Sequence, residues 1–272
     1  MTAAADTDRR FAILIDADNV SDRYIKIILD EVSNLGIATY KRIYGDWTSN
    51  RLASWKGCLL NNSITPMQQY SYTYGKNATD SALIIDAMDI LYSGNVDGFA
   101  IVSSDSDFTR LAARLRESGM YVIGMGEQKT PAPFISACNQ FKYLDLLYSS
   151  GGSGEGADET GAAADAAADD ATEQEQELEF GQMTKADRRR HMKTIRLAIN
   201  AIIDQFSDDD GWVSLGLLGD QLGKRVPDFD VRNYGYKKLR PFLRSLGVYE
   251  FKDPDGEDGQ RQIYMRLIKQ QG

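Results

Sequence analysis

The sequence predicts an α/β protein: a doubly wound parallel-sheet domain, a small winged-helix domain, and a disordered acidic linker joining them. Three observations predict it. Short apolar runs alternate with helical patterns over the first half of the chain. A stretch near residues 149–183 carries almost no large apolar residue. A second set of helical patterns, followed by a short hairpin, closes the chain. At 272 residues the chain suits two domains. The expected boundaries are 9–148, 149–183 and 184–270.

Element by element, Phe11–Ile15 (FAILI) is apt for a buried parallel strand. Ser21–Asn34 follows with Tyr24, Ile27, Ile28, Glu31, Val32 and Leu35 at helical spacing, Ser21 as N-cap and Gly36 as the stop. Ala38–Tyr44 is a second strand, 50–62 a helix, and Ile64–Tyr70 a third strand. Ala78–Tyr92 turns Leu83, Ile84, Ala87, Met88 and Leu91 inward as a helix. Gly98–Val102 (GFAIV) is a fourth strand, Asp107–Glu117 a helix and Tyr121–Met125 a fifth strand. Such repeated units imply a parallel sheet covered on both faces. Beyond the linker, Lys185–Phe206 is a long helix with Met192, Ile195, Ile199, Ile202, Ile203 and Phe206 as its apolar stripe. Trp212–Leu222 and Arg232–Leu246 read as two more helices. Val248–Phe251 and Gln262–Leu267 read as strands around the turn DPDGEDG.

Charge and cysteine content narrow the function classes. The formal charge is −9, which taken whole argues against nucleic acid. Ten acids and no base lie between Ser149 and Phe180, however, while residues 181–272 hold 17 basic and 13 acidic side chains. The acidity is mostly a property of one segment, which as a coil spans about 30 Å. Apolar runs stop far short of the roughly 18 residues of a membrane helix. No signal-peptide pattern opens the chain. Cys58 and Cys138 lack metal-ligand spacing and read as free reduced thiols. A soluble cytoplasmic protein is the expectation.

In open parallel sheets, ligands bind beyond the carboxyl ends of the strands. Strand one ends in Asp16-Ala17-Asp18-Asn19, and strand four in Ser103-Ser104-Asp105-Ser106-Asp107. The third helix opens with Thr79 and Asp80, after Gly75-Lys76-Asn77. One rim would therefore gather Asp16, Asp80, Asp105 and Asp107, with Asp18 and Asp86 as lesser candidates. Crowded carboxylates raise one another's pKa unless a cation compensates. Hard oxygen donors without a His/Cys set favour Mg²⁺ or Mn²⁺ over zinc, and phosphodiester hydrolysis is the reaction class that fits. Asp107 and Asp80 equally suit N-cap positions, and Asp86 a pairing within the helix layer. Gly124-Met125-Gly126 is a fragment of a dinucleotide loop better read as a turn, no P-loop occurs, and His191 reads as an exposed helix residue.

Three blocks, Ile13–Asn19 (ILIDADN), Lys76–Asp86 (KNATDSALIID) and Ile101–Phe108 (IVSSDSDF), resemble the signature blocks of the NYN domain, a PIN-like nuclease fold. The resemblance covers residues 9–145. It implies a metal-dependent ribonuclease with Asp16, Asp80, Asp105 and Asp107 on the acidic metal positions and Asn19 on the strand-one asparagine. Lys76, Asn19 and Ser104 are the expected substrate contacts. Some NYN members are inactive scaffolds, so a non-catalytic RNA-binding regulator stands beside the nuclease reading, with a small-molecule phosphatase as a third.

Gly211-Trp212-Val213, Leu215–Leu218, Pro227-Asp228-Phe229 and Asn233–Leu239 (NYGYKKL) resemble an OST-HTH, or LOTUS, domain over 193–267. This implies a winged helix that binds RNA, including structured or G-rich RNA, and contacts proteins. Pro241, inside the third helical pattern, should kink or restart it. Charge supports RNA independently: Lys237, Arg240 and Arg244 form a stripe beside the apolar face, and Arg188–Arg190, Lys193 and Arg196 add a second cationic stretch. Lys237, Lys238, Arg240, Arg244 and Tyr234 are the expected RNA contacts, with RNA as the partner and a homodimer compatible with the chain.

Overall fold

The structure, a computed structural model, describes residues 9–70, 78–151, 185–252 and 262–268. Lys76, residues 152–183 of the expected linker and the DPDGEDG turn lie outside the described residues, while 149–151 end a helix. Six parallel strands form the first sheet: β1 (Arg9–Asp16), β2 (Gly36–Gly45), β3 (Thr65–Gln68), β4 (Gly98–Val102), β5 (Tyr121–Gly126) and β6 (Gln140–Tyr143). Their spatial order is β3-β2-β1-β4-β5-β6. From β1 the chain winds outward one way, and from β4 it winds outward the other, so the sheet reverses direction between β1 and β4.

Period-2 alternation makes β1 the centre of two cores. Phe11, Ile13 and Ile15 face Ile28 and Val32 of α1 (Ile25–Ser33) and Trp55 and Leu59 of α2 (Ala53–Leu59). Ala12 and Leu14 face Leu83, Ala87 and Ile90 of α3 (Ala78–Ser93), with Leu111 and Leu115 of α4 (Thr109–Glu117) and Phe134 of α5 (Ala132–Ala137) on the same side. β4 is buried from end to end, as its unbroken apolar run requires. The last helix, α6 (Leu144–Gly151), returns to α1, where Tyr148 meets Tyr24 edge to face.

The sheet has a sixth strand, with α5 and α6 around it, that the apolar runs do not announce. Gly124 and Gly126 lie in β5 rather than a turn. A Cβ on Gly126 would stand 2.7 Å from the Ser103 carbonyl oxygen and 2.6 Å from Thr130 Oγ1. The glycine therefore lets β5 close on the loop after β4.

The second unit packs α7 (Lys185–Phe206), α8 (Leu215–Arg225) and α9 (Leu239–Ser245) on a three-stranded antiparallel sheet. That sheet has the order β7-β9-β8, from β7 (Val213–Ser214), β8 (Tyr249–Lys252) and β9 (Tyr264–Leu267). Ile195, Ile199, Ile202, Leu218, Leu222, Phe242 and Met265 fill its core. Val213 and Ser214 pair with β9, so α8 begins at Leu215, capped by Ser214, and not at Trp212. Arg232–Leu246 is not one helix. A 3₁₀ turn (Val231–Tyr234) ends at Gly235, whose φ of +80° only glycine adopts without strain. α9 restarts at Leu239 and holds Pro241 in its first turn, where no intrahelical N–H is lost. Phe206 sits at the exposed end of α7. His191 is half-buried and stacked on Tyr234 rather than solvated. Both cysteines are free.

Asp86 belongs to the core and not to the rim. Its carboxylate accepts from Arg42 and from the buried Tyr44 hydroxyl, both on β2. Burial and then this partner raise the Tyr44 pKa well above its ordinary value. Asp86→Ala strands both donors, and denaturant titration should show a loss of about 2–4 kcal/mol. Divalent-ion affinity should not change.

Candidate metal centre at the β1–β4 switch point

Parallel register brings the ends of β1 and β4 together. Ile15 stands opposite Val102, so the next residues on each strand, Asp16 and Ser103, meet across the gap where the winding reverses. Asp16 is fully buried. Its Oδ2 accepts from Ser103 Oγ at 2.9 Å and Asn19 Nδ2 at 2.8 Å, and its Oδ1 from the Asp18 amide at 3.1 Å. Desolvation nonetheless outweighs these donors and raises its pKa. The same Ser103 hydroxyl accepts the Asp105 amide at 3.1 Å. One serine thus couples the carboxylate of β1 to the loop after β4.

Asp105, not Asp107, caps the 3₁₀ turn that starts α4, accepting the Asp107 amide at 2.9 Å. This turn throws the Asp107 side chain outward beside Asp105. Asp80 arrives from the first turn of α3, and the preceding Thr79 donates its hydroxyl to Asp18 at 3.0 Å. Asp80, Asp105 and Asp107 each offer an oxygen, and these oxygens lie within 4.8 Å of one another. Burial, followed by the charges of Asp16, Asp105, Asp107 and Asp18, pushes the Asp80 pKa up to about 6. A helix N-terminus ordinarily favours an anion by well under 2 kcal/mol, and here the surrounding carboxylates override it.

The four expected acids therefore gather at one rim but divide in two. Asp80, Asp105 and Asp107 form the open donor set. Asp16 stands behind, its oxygens engaged by three donors. Asn19 is half-buried and holds Asp16, which is its contact here. Ser104 is buried and accepts the Glu127 amide at 2.9 Å, tying the β4 loop to the end of β5. Sequence reasoning missed Ser103 and Thr79 as organisers. The signal was present in the paired hydroxyl and acid positions of SSDSD and ATD. It also missed Arg51, an exposed cation whose Nη2 lies 3.7 Å from Asp18 Oδ1 at the same rim.

In the second unit, Lys237, Lys238 and Arg244 are exposed. Lys237 and Lys238 precede α9. Arg240 and Arg244 lie over the Phe251 ring, at 5.8 and 5.6 Å from its centroid, so the basic face is held against β8. Tyr234 packs among Phe229, Phe242 and His191. Its ring is committed to that cluster.

A parallel α/β domain with a carboxylate triad at its switch point defines a class of acidic-site protein in which a hard cation is the natural guest. The NYN domain family matches residues 10–145, and the chain belongs to that family. The OST-HTH/LOTUS domain matches residues 191–258. A 126-residue stretch is 25% identical to an uncharacterized protein of Methanocaldococcus jannaschii, covering 44% of this chain and 49% of that protein. The chain thus spans about half the length of this curated relative. A crystal structure of a protein of unknown function from Vibrio parahaemolyticus aligns with TM-score 0.45 and 20% identity, over 53% of this chain and 97% of that one. A solution structure of an uncharacterized protein from Nitrosomonas europaea aligns with TM-score 0.29 and 29% identity, over 39% and 92%. Among the described residues no helix is long and apolar enough to cross a membrane.

The raised Asp80 pKa gives a signed prediction. An Asp whose folded pKa lies above its unfolded value destabilises the fold at pH above about 6, and the penalty fades as pH falls toward the unfolded value near 4. Because the rim is open to solvent, the penalty is about 1 kcal/mol or less. Asp80→Asn should raise the metal-free melting temperature by about 2–4 °C at pH 7.5. The gain should vanish near pH 4, and an equal gain at both pH values would show that it is not electrostatic.

Proposed function

We propose that the protein is a Mg²⁺- or Mn²⁺-dependent ribonuclease whose C-terminal domain binds the RNA. The observation that carries this reading is the triad of Asp80, Asp105 and Asp107, its oxygens within 4.8 Å of one another, at the sheet's switch point. The donor set fits the ion: three hard carboxylate oxygens, no soft ligand, and an Asp80 made reluctant to ionise by burial and then by its neighbours. When bound, such an ion supplies Lewis acidity toward a phosphoryl oxygen and the attacking water. The protein's own residues do the rest. Asp80, Asp105 and Asp107 hold the ion. Asp16, fixed by Ser103 and Asn19, keeps the β1 and β4 ends in register and adds negative field behind it. Arg51, exposed beside Asp18, would steer phosphates toward the rim, Lys76 is assigned the same role from the sequence alone, and Asn19 and Ser104 would shape the floor.

RNA affinity is assigned to Lys237, Lys238, Arg240 and Arg244, which attract a polyanion by counterion release. The substrate class proposed is RNA, structured or G-rich, and the setting proposed is the cytoplasm.

Two measurements test the proposal. End-labelled RNA should be cut with Mn²⁺ present and not with EDTA. Asp80→Asn or Asp107→Asn should each lower the rate by about a hundredfold or more, on the scale of losing a group that stabilises transition-state charge. Salt-sensitive RNA binding without turnover in any divalent ion would replace the enzyme with a non-catalytic regulator. In binding titrations, the slope of log affinity against log salt should shrink by about 0.7 for each of Lys237→Ala and Lys238→Ala. An unchanged slope would remove this face from the RNA contact.

A further inference from the structure

β6 is the last strand of its sheet, and an uncovered edge strand is a hazard for unwanted pairing. Here the C-terminal domain covers it. The outward Phe141 amide donates to the Pro227 carbonyl at 2.8 Å. One residue on, Lys142 is buried and lodges its ammonium 3.2 Å from Glu31 Oε2 on α1 and 2.9 Å from Asp230 Oδ2. Arg232 forks onto both carboxylates of Glu31 and Asp230. It reaches Glu31 at 2.7 and 3.0 Å, and Asp230 at 2.6 and 3.0 Å. The Tyr143 hydroxyl donates to Asp228 Oδ2 at 2.9 Å, with His191 Nδ1 at 3.9 Å from the same oxygen.

The cluster is charge-balanced and crosses the two domains twice. Glu31 and Lys142 belong to the sheet domain, Asp230 and Arg232 to the winged helix. Each carboxylate touches both cations, and each cation both carboxylates. We infer that this four-ion cluster is a latch that docks the winged-helix domain on the β6 edge, making it a fixed extension of the acidic domain rather than a module swinging on a tether. Where the ribonuclease reading holds, on which this last step rests, Lys237 and Lys238 present RNA at a set distance from the rim.

Glu31, Lys142 and Asp230 are close to buried and Arg232 partly so, and each is held in place by the others. Burial would raise Glu31 and Asp230, but Arg232 and Lys142 outweigh it and keep both below the ordinary carboxylate range. Removing one member leaves its partners desolvated and uncompensated, which favours separation of the surfaces over a loosened contact. The occupant is specific for the same reason. Any partner on this edge must bring a carboxylate, a guanidinium and a carbonyl in the positions of Asp230, Arg232 and Pro227.

Hydrogen exchange on the intact chain, read by mass spectrometry, tests the latch without reference to RNA. Residues 140–143 and 226–234 should exchange slowly together. Lys142→Met and Arg232→Gln should each speed both segments by about tenfold or more, while β1 stays protected and so reports that the sheet domain is still folded. Glu31→Gln and Arg232→Gln, combined, should be non-additive, as touching groups are. Unchanged exchange in the single variants, additive effects, or protection lost on dilution would overturn the proposal, the last by placing the docking between two copies. On a long RNA, Lys142→Met should broaden the distribution of cut sites. If no RNA is cut at all, the nuclease reading fails and the exchange data still decide the latch.

Discussion

The architecture of the acidic domain depends on one buried carboxylate. Asp16 ends the central strand with no solvent contact, and its desolvation is met by three donors from two neighbouring segments. An ion buried without partners costs several kcal/mol, so those donors are obligatory and their positions follow from it. Asn19 must fold back over the strand end. Ser103 must leave β4 beside β1, and from there its oxygen orients the Asp105 amide. The rim is thus assembled from behind. A buried carboxylate thus holds the loops that carry Asp105 and Asp107.

The same economy explains the charge pattern. A rim of clustered aspartates repels a polyanion, and burial together with that crowding raises the Asp80 pKa. In the proposed function a divalent cation would turn the rim from repulsive to attractive, while the basic face of the second domain would attract phosphates throughout. On the proposed function, recruitment and chemistry would be carried by opposite charges on separate surfaces. The formal −9 describes neither surface; it is the sum of an acidic segment, an acid rim and a cationic winged helix. The charge-balanced cluster of Glu31, Lys142, Asp230 and the partly exposed Arg232 joins the two domains.

Most strands and helices were legible because their determinants are local. FAILI and GFAIV are continuous apolar runs, and both became buried parallel strands. The stripe of Ile195, Ile199 and Ile202 repeats at helical spacing, and α7 buries that face. The acids after β1, after β4 and at the start of α3 were legible as a rim, since parallel topology sends those three junctions to one end of the sheet. Misreadings came where contacts from afar decide. Gln140–Tyr143 has no apolar run to announce a strand, and Lys142 is buried against Asp230 of the other domain and Glu31 of α1, both far away in sequence. Arg232–Leu246 keeps helical periodicity, but the left-handed Gly235 ends one turn and α9 restarts only at Leu239. Val213 and Ser214 become a strand only because β9 lies beside them.

What the sequence by itself determined is the α/β class, the division into two domains and the set of acids at the strand ends. All of these follow from periodicity, turn residues and composition, which act over a few positions. Tertiary structure alone decided which acid is buried and which are open to a ligand. It also decided that Asp86 answers to Tyr44 and Arg42, and that the winged helix sits on the edge of β6. Those outcomes turn on desolvation and its compensation. The energy of a buried charge depends on partners that the chain brings from distant positions, and spacing along the sequence carries no record of them.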